Sequence, residues 1–200
     1  MAVTLRKLLE CVEEEKIQIL AGKNNLDRAV RWTHMVESIE ISTFLEGQEI
    51  AFTTGAALKS EEDFLEMVQC IIRNQATAII VNIGPYIKEI PEKIIKYCQE
   101  RDFPLITVPW ETHMAHIMQI FCLKITEEDK ANMELSSAVK NAIFLPMQED
   151  LYIPALERYH YSPGWSYCVA AIEILEGAQP IEEERRQRFQ KYIENQLSYR

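Results

Sequence analysis

The sequence predicts an α/β protein: a mainly parallel sheet covered by helices, followed by a second, incomplete α+β module. Three runs carry the first part of that expectation. Glu49 to Thr54 is β-rich, while Thr77 to Gly84 and Phe103 to Pro109 are nearly continuous in apolar residues, as in strands buried on both faces. Helical spacing fills the segments after each run, and strands joined by helical crossovers lie parallel. The second part rests on the chain beyond residue 146, where one strand-like run and one helix are too little to close a core. That module is expected to pair with further sequence or with a second copy.

Taken in order, Thr4 is placed to cap a first helix, with Leu5, Leu8, Leu9 and Val12 at helical spacing. Ile17 to Ala21 alternates as a short strand ending at Gly22, and Asn24 and Asn25 suit a turn. Ala29 to Val36 again has strand character, with imperfect alternation. After the strand at Glu49 to Thr54 the chain turns at Gly55. Ser60 then heads a helix, with Asp63 three residues on as an imperfect capping box and Phe64, Leu65, Val68, Ile71 and Ile72 as its apolar stripe. Beyond the second strand, Pro91 suits the first turn of a helix carrying Ile94, Ile95 and Cys98. A further helix is expected from Thr112 to Ile125.

The charged stretch after Ile125 either continues that helix or begins another after Thr126, which marks the expected boundary between residues 1–126 and 127–200. The later part should hold a linker helix, a Tyr- and Pro-rich turn (Arg158 to Ser166) and a strand at Tyr167 to Leu175. After Pro180 comes an amphipathic helix whose charged run, Glu182 to Arg188, reads as a solvated face.

Composition narrows the function classes. Of 200 residues, 48% are hydrophobic and 26% charged, ordinary values for a folded domain. The net charge of -10 is spread evenly: residues 1–126 carry 13 basic and 18 acidic side chains, and residues 127–200 carry 8 and 13, so each part stands at -5. Neither offers the basic face that phosphate backbones require. The five cysteines, Cys11, Cys70, Cys98, Cys122 and Cys168, include no CxxC and read as reduced core thiols of a cytoplasmic protein. The first residues are too charged for a signal peptide, and no apolar run is long enough for a membrane span.

Motifs for chemistry are sparse. His113 and His116, with Glu111 before them, have a spacing that can place two imidazoles beside a metal, but no further ligand is specified and no metal or cofactor is expected. No GxSxG, GxGxxG or P-loop pattern occurs, and the chain is expected not to be an enzyme. Trp32, Trp110 and Trp165 read as core or interface residues. More informative are the corners at the strands' carboxyl ends, where open α/β sheets bind ligands. These are Thr53-Thr54-Gly55, Asn82-Ile83-Gly84 and Pro109-Trp110-Glu111. The first offers hydroxyls and backbone N–H groups suited to an anion or a carboxylate, or else is an ordinary turn using Gly for its φ angle. All three corners should meet along one rim.

Several separated motifs resemble the N-terminal domain of the PucR family of purine-catabolism regulators over about residues 4–125. That family's DRxVRWxHxxE stretch is matched by Asp27, Arg28, Val30, Arg31, Trp32, His34 and Glu37; its GxELxxTTG turn by Gly47, Glu49, Thr53, Thr54 and Gly55; its Pro-bounded strand by Pro104 to Pro109. The remainder resembles the start of a GGDEF-like middle domain, although the GG(D/E)EF signature is absent and Glu173 alone makes no metal site. The resemblance implies a metabolite-sensing and dimerising part of a bacterial transcription regulator that meets DNA only through a C-terminal helix-turn-helix absent from this chain. Candidate ligand-binding residues are Arg31, Trp32, His34, Glu37, Thr53, Thr54, Gly55, Asn82 and Gly84. The alternative is an assembly module without a small-molecule site.

Overall fold

The computed structural model describes residues 3–162 and 164–166. The strand expected at Tyr167 to Leu175, the helix expected after Pro180 with its charged run Glu182 to Arg188, Glu173 and Cys168 lie outside them. The chain divides into two units, residues 1–160 and 161–200. In the second, the described residues turn back at Ser162, whose carbonyl accepts from the Trp165 N–H at 3.1 Å, within the stretch expected to be a turn.

The first unit is built on a five-stranded sheet. Thr4 caps α1 (Leu5–Glu10) by accepting from the Lys7 N–H. A short strand, β1 (Gln18–Ala21), runs to Gly22, whose φ of 70° turns the chain into a 3-10 segment, Lys23–Asn25. A Cβ at Gly22 would stand 2.6 Å from the Phe103 carbonyl oxygen, so this close approach requires glycine. The second expected strand is shorter than its sequence pattern: β2 covers Trp32–Met35. A one-turn helix without a sequence signal, α2 (Ile39–Ser42), comes next; Ser38 caps it and hydrogen-bonds Glu40, holding that carboxyl below its usual pKa. Four residues leave no periodicity by which to recognise such a helix.

The expected alternation then appears: β3 (Glu49–Thr53), α3 (Glu61–Arg73), β4 (Ala78–Ile83), α4 (Glu92–Glu100), β5 (Leu105–Pro109) and α5 (Met114–Phe144). Strand order is β1-β5-β4-β3-β2. The β2/β3, β3/β4 and β4/β5 pairs are parallel and β1 lies antiparallel on β5, so the sheet is mainly parallel with one reversed edge. Ser60 Oγ caps α3 through the Asp63 N–H, while Asp63 reaches back to the Lys59 N–H instead of that of Ser60. Pro91 is the N-cap of α4, not a residue of its first turn, because its ψ of 137° is extended.

Side chains along the central strands alternate between two cores, as a period of two demands. Ala51, Ile79, Val81 and Leu105 pack with Phe64, Met67, Val68 and Ile71 of α3 and with Ile94 and Cys98 of α4. Their neighbours Ile50, Phe52, Ala78, Ile80, Ile106 and Val108 pack on the other face with Leu5 and Leu8 of α1 and Ile117, Phe121 and Ile125 of α5. Phe52 and Phe121 meet as tilted rings 6.1 Å apart. Each fully buried Val, Leu, Ile, Met or Phe side chain among these stabilises the fold by about 1.5–3 kcal/mol before entropy is counted.

Helix α5 continues through Thr126 without a break, the first of the two alternatives left open by the sequence. At 31 residues it is about 46 Å long, against ~17 Å for a five-residue strand, so it outruns the sheet. Beyond the sheet it packs against α6 (Ile153–Arg158): Glu134 pairs with Arg158 and accepts from the Tyr159 hydroxyl at 2.8 Å, and Asn141 Nδ2 donates to the Leu151 carbonyl. That phenol bond to a carboxylate raises the Tyr159 pKa.

Candidate functional site

The carboxyl ends of β3, β4 and β5 are adjacent, and the corners beyond them touch. Thr53 pairs in register with Val81, and Ile83 with Pro109. Gly55, at φ 75°, lies against Ile87 from the β4–α4 corner, where a Cβ would stand 2.6 Å from Ile87 Cγ1. Gly84 lies under the indole of Trp110, and its N–H donates to the Ile87 carbonyl at 2.7 Å. Asn82 Nδ2 donates 2.9 Å to the Pro109 carbonyl, tying two strand ends together. The single rim expected from the sequence is therefore present.

At the first corner the anion-binding expectation meets an answer from within the chain. The carboxylate of Glu37, two residues beyond β2, lies among the donors of the Thr-Thr-Gly turn. Its Oε1 accepts from the Thr54 N–H at 3.0 Å and the Thr54 hydroxyl at 2.9 Å. Its Oε2 accepts from the Ala56 N–H at 3.2 Å and the Thr53 hydroxyl at 3.4 Å. A carboxylate has about four lone-pair sites, so Glu37 is saturated here. The turn is held from beneath: Thr53 is fully buried, and its Oγ1 also accepts from the Gly55 N–H at 3.1 Å. A second carboxylate does similar work at the opposite end of β3, where Glu49 accepts from the N–H groups of Glu46 and Gly47 at 2.9 and 2.8 Å.

The candidate residues divide accordingly. Glu37, Thr53, Thr54, Gly55, Asn82 and Gly84 gather at the rim. Arg31 and Trp32 do not, and this corrects their grouping with it. Trp32 stands in register with Glu49 at the start of β3, and the Arg31 N–H donates to the Gln48 carbonyl. A strand advances about 3.3 Å per residue, so the four steps from Glu49 to Thr53 leave these two residues at the amino end of the sheet. His34 lies midway, half-buried and in register with Ala51. Between them Thr33 is buried, its hydroxyl 3.3 Å from Cys122 Sγ on α5.

Two rim residues were not nominated as ligand contacts by the sequence. Trp110 and Tyr86 form an edge-to-face pair, centroids 6.0 Å apart at 68°, with 44% and 59% of their surfaces exposed. The sequence placed Trp110 in one of the three corners without naming it as a contact; Tyr86 had no signal beyond its closeness to Gly84, whose missing side chain leaves room for the indole.

The remaining chemistry-bearing groups are dispersed. His113 is the N-cap of α5 and His116 lies in its first turn, both exposed. Among the described residues, no three His, Cys, Asp or Glu side chains converge as a metal site would need. Cys70 and Cys98 are buried, and burial pushes the Cys98 thiol up to about 12 although nearby Arg101 acts the other way. Cys11 departs from the core reading: it is exposed at the end of α1, its thiol on the Lys7 carbonyl. Among the described residues, no helix is long and apolar enough to cross a membrane.

Comparison with known proteins adds a family and two similar chains. Residues 7–125 match the purine catabolism regulatory protein-like family. The purine catabolism regulatory protein of Bacillus subtilis (strain 168) is 25% identical over 126 residues, which take in 62% of this chain and 23% of that protein. The chain thus corresponds to less than a quarter of that relative's length. Among solved structures, the CBS and DRTGG domains of the regulatory region of Clostridium perfringens pyrophosphatase, complexed with the activator diadenosine tetraphosphate, are similar at a TM-score of 0.39. Identity there is 13%, over 59% of this chain and 45% of that one.

Proposed function

The chain belongs to the purine catabolism regulatory protein-like family, and from that premise we propose that it is the sensory and dimerising region of a bacterial transcription regulator. In this reading a small metabolite binds at the carboxyl rim of the sheet. DNA is contacted by a helix-turn-helix elsewhere in the full protein, residues 127–200 lead into a GGDEF-like middle domain, and the protein works in the cytoplasm without catalysing a reaction. One observation carries the proposal: α5 is seated on the sheet through Phe121 and Ile125, and then continues unbroken past it to Phe144. A change in how the rim holds β2 and β3 reaches this helix directly, through Thr33 on Cys122 and Phe52 on Phe121. A sensor must bind its effector differently in two states, and a rigid helix crossing from sheet to downstream chain is a physical means of reporting which state is present.

A thermal-shift screen of purine-pathway metabolites, amino acids and small acids tests the sensor. At least one should raise the melting temperature in a concentration-dependent way, and the rim variant Gly84→Ala should weaken that effect. The absence of any stabilising metabolite would remove the sensor.

A second reading, an assembly module with no small-molecule site, is favoured by the apolar residues that α5 exposes beyond the sheet. Met133, Ile143 and Phe144 are 74%, 53% and 72% exposed. Sedimentation separates the readings: a dimer together with an empty metabolite screen supports this one, and a monomer at all concentrations rejects it.

A further inference from the structure

We propose that the Thr53–Ala56 turn is a carboxylate receptor whose resident ligand is Glu37, and that a small-molecule carboxylate opens the site by taking Glu37's place. The proposal deepens the sensor reading and rests on it, since it names the chemistry that the rim would select.

Three features support it. First, the receptor is shaped for a carboxylate. Two backbone N–H groups and two hydroxyls converge on two oxygens, two donors to each, at 2.9 to 3.4 Å. These four donors are all neutral, so the turn lacks the charge that a dianionic phosphate would demand.

Second, the receptor does not depend on its occupant. Thr53 is the last residue of a central strand paired on both sides, the Gly55 N–H is bonded to Thr53 Oγ1, and Gly55 is backed by Ile87. None of these contacts involves Glu37, so they hold the shape of the turn around its donors independently of it. Left without an acceptor, the partly buried ones would cost free energy, which draws in a replacement.

Third, the occupant is the less anchored partner. Glu37 is half-buried and sits on the segment after β2, an edge strand with β3 as its neighbour. The residue before it, Val36, is buried and bonded to the Phe52 carbonyl at 2.7 Å. The exchange begins with rotation of the Glu37 side chain into solvent, and it releases the tie between the end of β2 and the turn after β3, the change of hold that the sensor reading requires. A tethered carboxylate competes at an effective concentration of millimolar or more, so a bare free carboxylate should bind the wild-type chain weakly. An effector must add contacts along the rim, where Trp110 and Tyr86 offer exposed aromatic surface.

The test uses the 200-residue chain and its Glu37→Ala and Glu37→Gln variants, titrated with sodium acetate, sodium formate, chloride and phosphate at matched ionic strength. Thermal unfolding and the amide resonances of Thr54 and Ala56 are monitored. Acetate and formate should bind Glu37→Ala at least tenfold more tightly than wild type, shift those two amides, and recover melting temperature lost to the substitution. Chloride and phosphate should do neither.

If Glu37→Ala folds only when acetate is added, that also supports the receptor. Failure to fold with acetate as with chloride overturns it, as does equal acetate affinity in wild type and Glu37→Gln. The sensor reading fails separately. A metabolite that binds wild type and Glu37→Ala equally overturns the exchange but keeps the sensor, whereas acetate recovery with no metabolite hit keeps the receptor and removes the sensor.

Discussion

The indole of Trp110 lies directly on the bare α-carbon of Gly84: a Cβ at position 84 would stand 2.7 Å from Cδ2 and 2.9 Å from Cγ of the ring. The contact joins the ends of β4 and β5 at the rim, and the Asn82 amide on the Pro109 carbonyl reinforces it. Gly84→Ala should therefore force the ring aside and destabilise the chain by about 1–3 kcal/mol, the usual cost of overpacking a fitted contact. Denaturant unfolding measures the loss, and Trp110→Ala in the same chain should remove most of the additional penalty, because the two changes share one contact. Full additivity would mean that the ring is not what Gly84 accommodates.

Thr54 gives Glu37 both its amide and its hydroxyl. Thr54→Val keeps the shape and the amide bond but deletes the hydroxyl, so it should cost about 1.5–3 kcal/mol, the range for hydrogen bonds to charged groups. The same substitution at Thr43, whose hydroxyl bonds the Glu40 carbonyl on an exposed turn, should cost less. Chemical denaturation of both variants checks the order, and a larger loss at Thr43 would contradict the assignment of the rim contact.

How much of this was legible beforehand depends on the range of each interaction. The two-sided strands at Thr77 to Gly84 and Phe103 to Pro109 are written in consecutive apolar residues, so the sheet's centre was readable. The direction of β1 was not, because pairing with β5 is set by contacts across the chain and not by the four residues themselves. Arg31, Trp32, His34 and Glu37 look like one site because they are close in sequence. An extended strand instead carries its two ends to opposite edges of the sheet. Glu37's engagement with Thr54, 17 positions away, had no local signal beyond a carboxylate and a polar turn each lacking a stated partner.

Gly22 makes a sharper prediction than Gly84, because there the neighbour is backbone. Its φ is 70°, and a Cβ would stand 2.6 Å from the Phe103 carbonyl oxygen, which cannot rotate away as a side chain can. Gly22→Ala should cost more than Gly84→Ala, about 3 kcal/mol or above, as left-handed strain adds to overpacking. The loss should be felt where β1 meets β5, so amide exchange at Ile19 and Ile106, which are paired in register, should accelerate before global unfolding. Protection unchanged at both amides would show that the edge strand does not depend on this turn.

Cys98 and Cys11 should differ in reactivity and in their effect on stability with pH. Cys98 is wholly buried on α4, and desolvation, which penalises the thiolate, raises its pKa from 9.0 to about 12. A group whose folded pKa lies above its unfolded value stabilises fully below the unfolded pKa, and that contribution fades as pH rises through the folded one. The stability due to Cys98 should accordingly be constant up to about pH 9 and disappear between there and about pH 12, whereas Cys98→Ala should lack this component of the decline. Because the thiolate is the nucleophile, iodoacetamide at neutral pH should modify exposed Cys11 in the native chain and reach Cys98 only after denaturation. Peptide mass mapping of the alkylated protein distinguishes the two sites. Native labelling of Cys98 at the rate of Cys11 would mean that α4 opens from the sheet far more readily than its buried Ile94 and Cys98 imply.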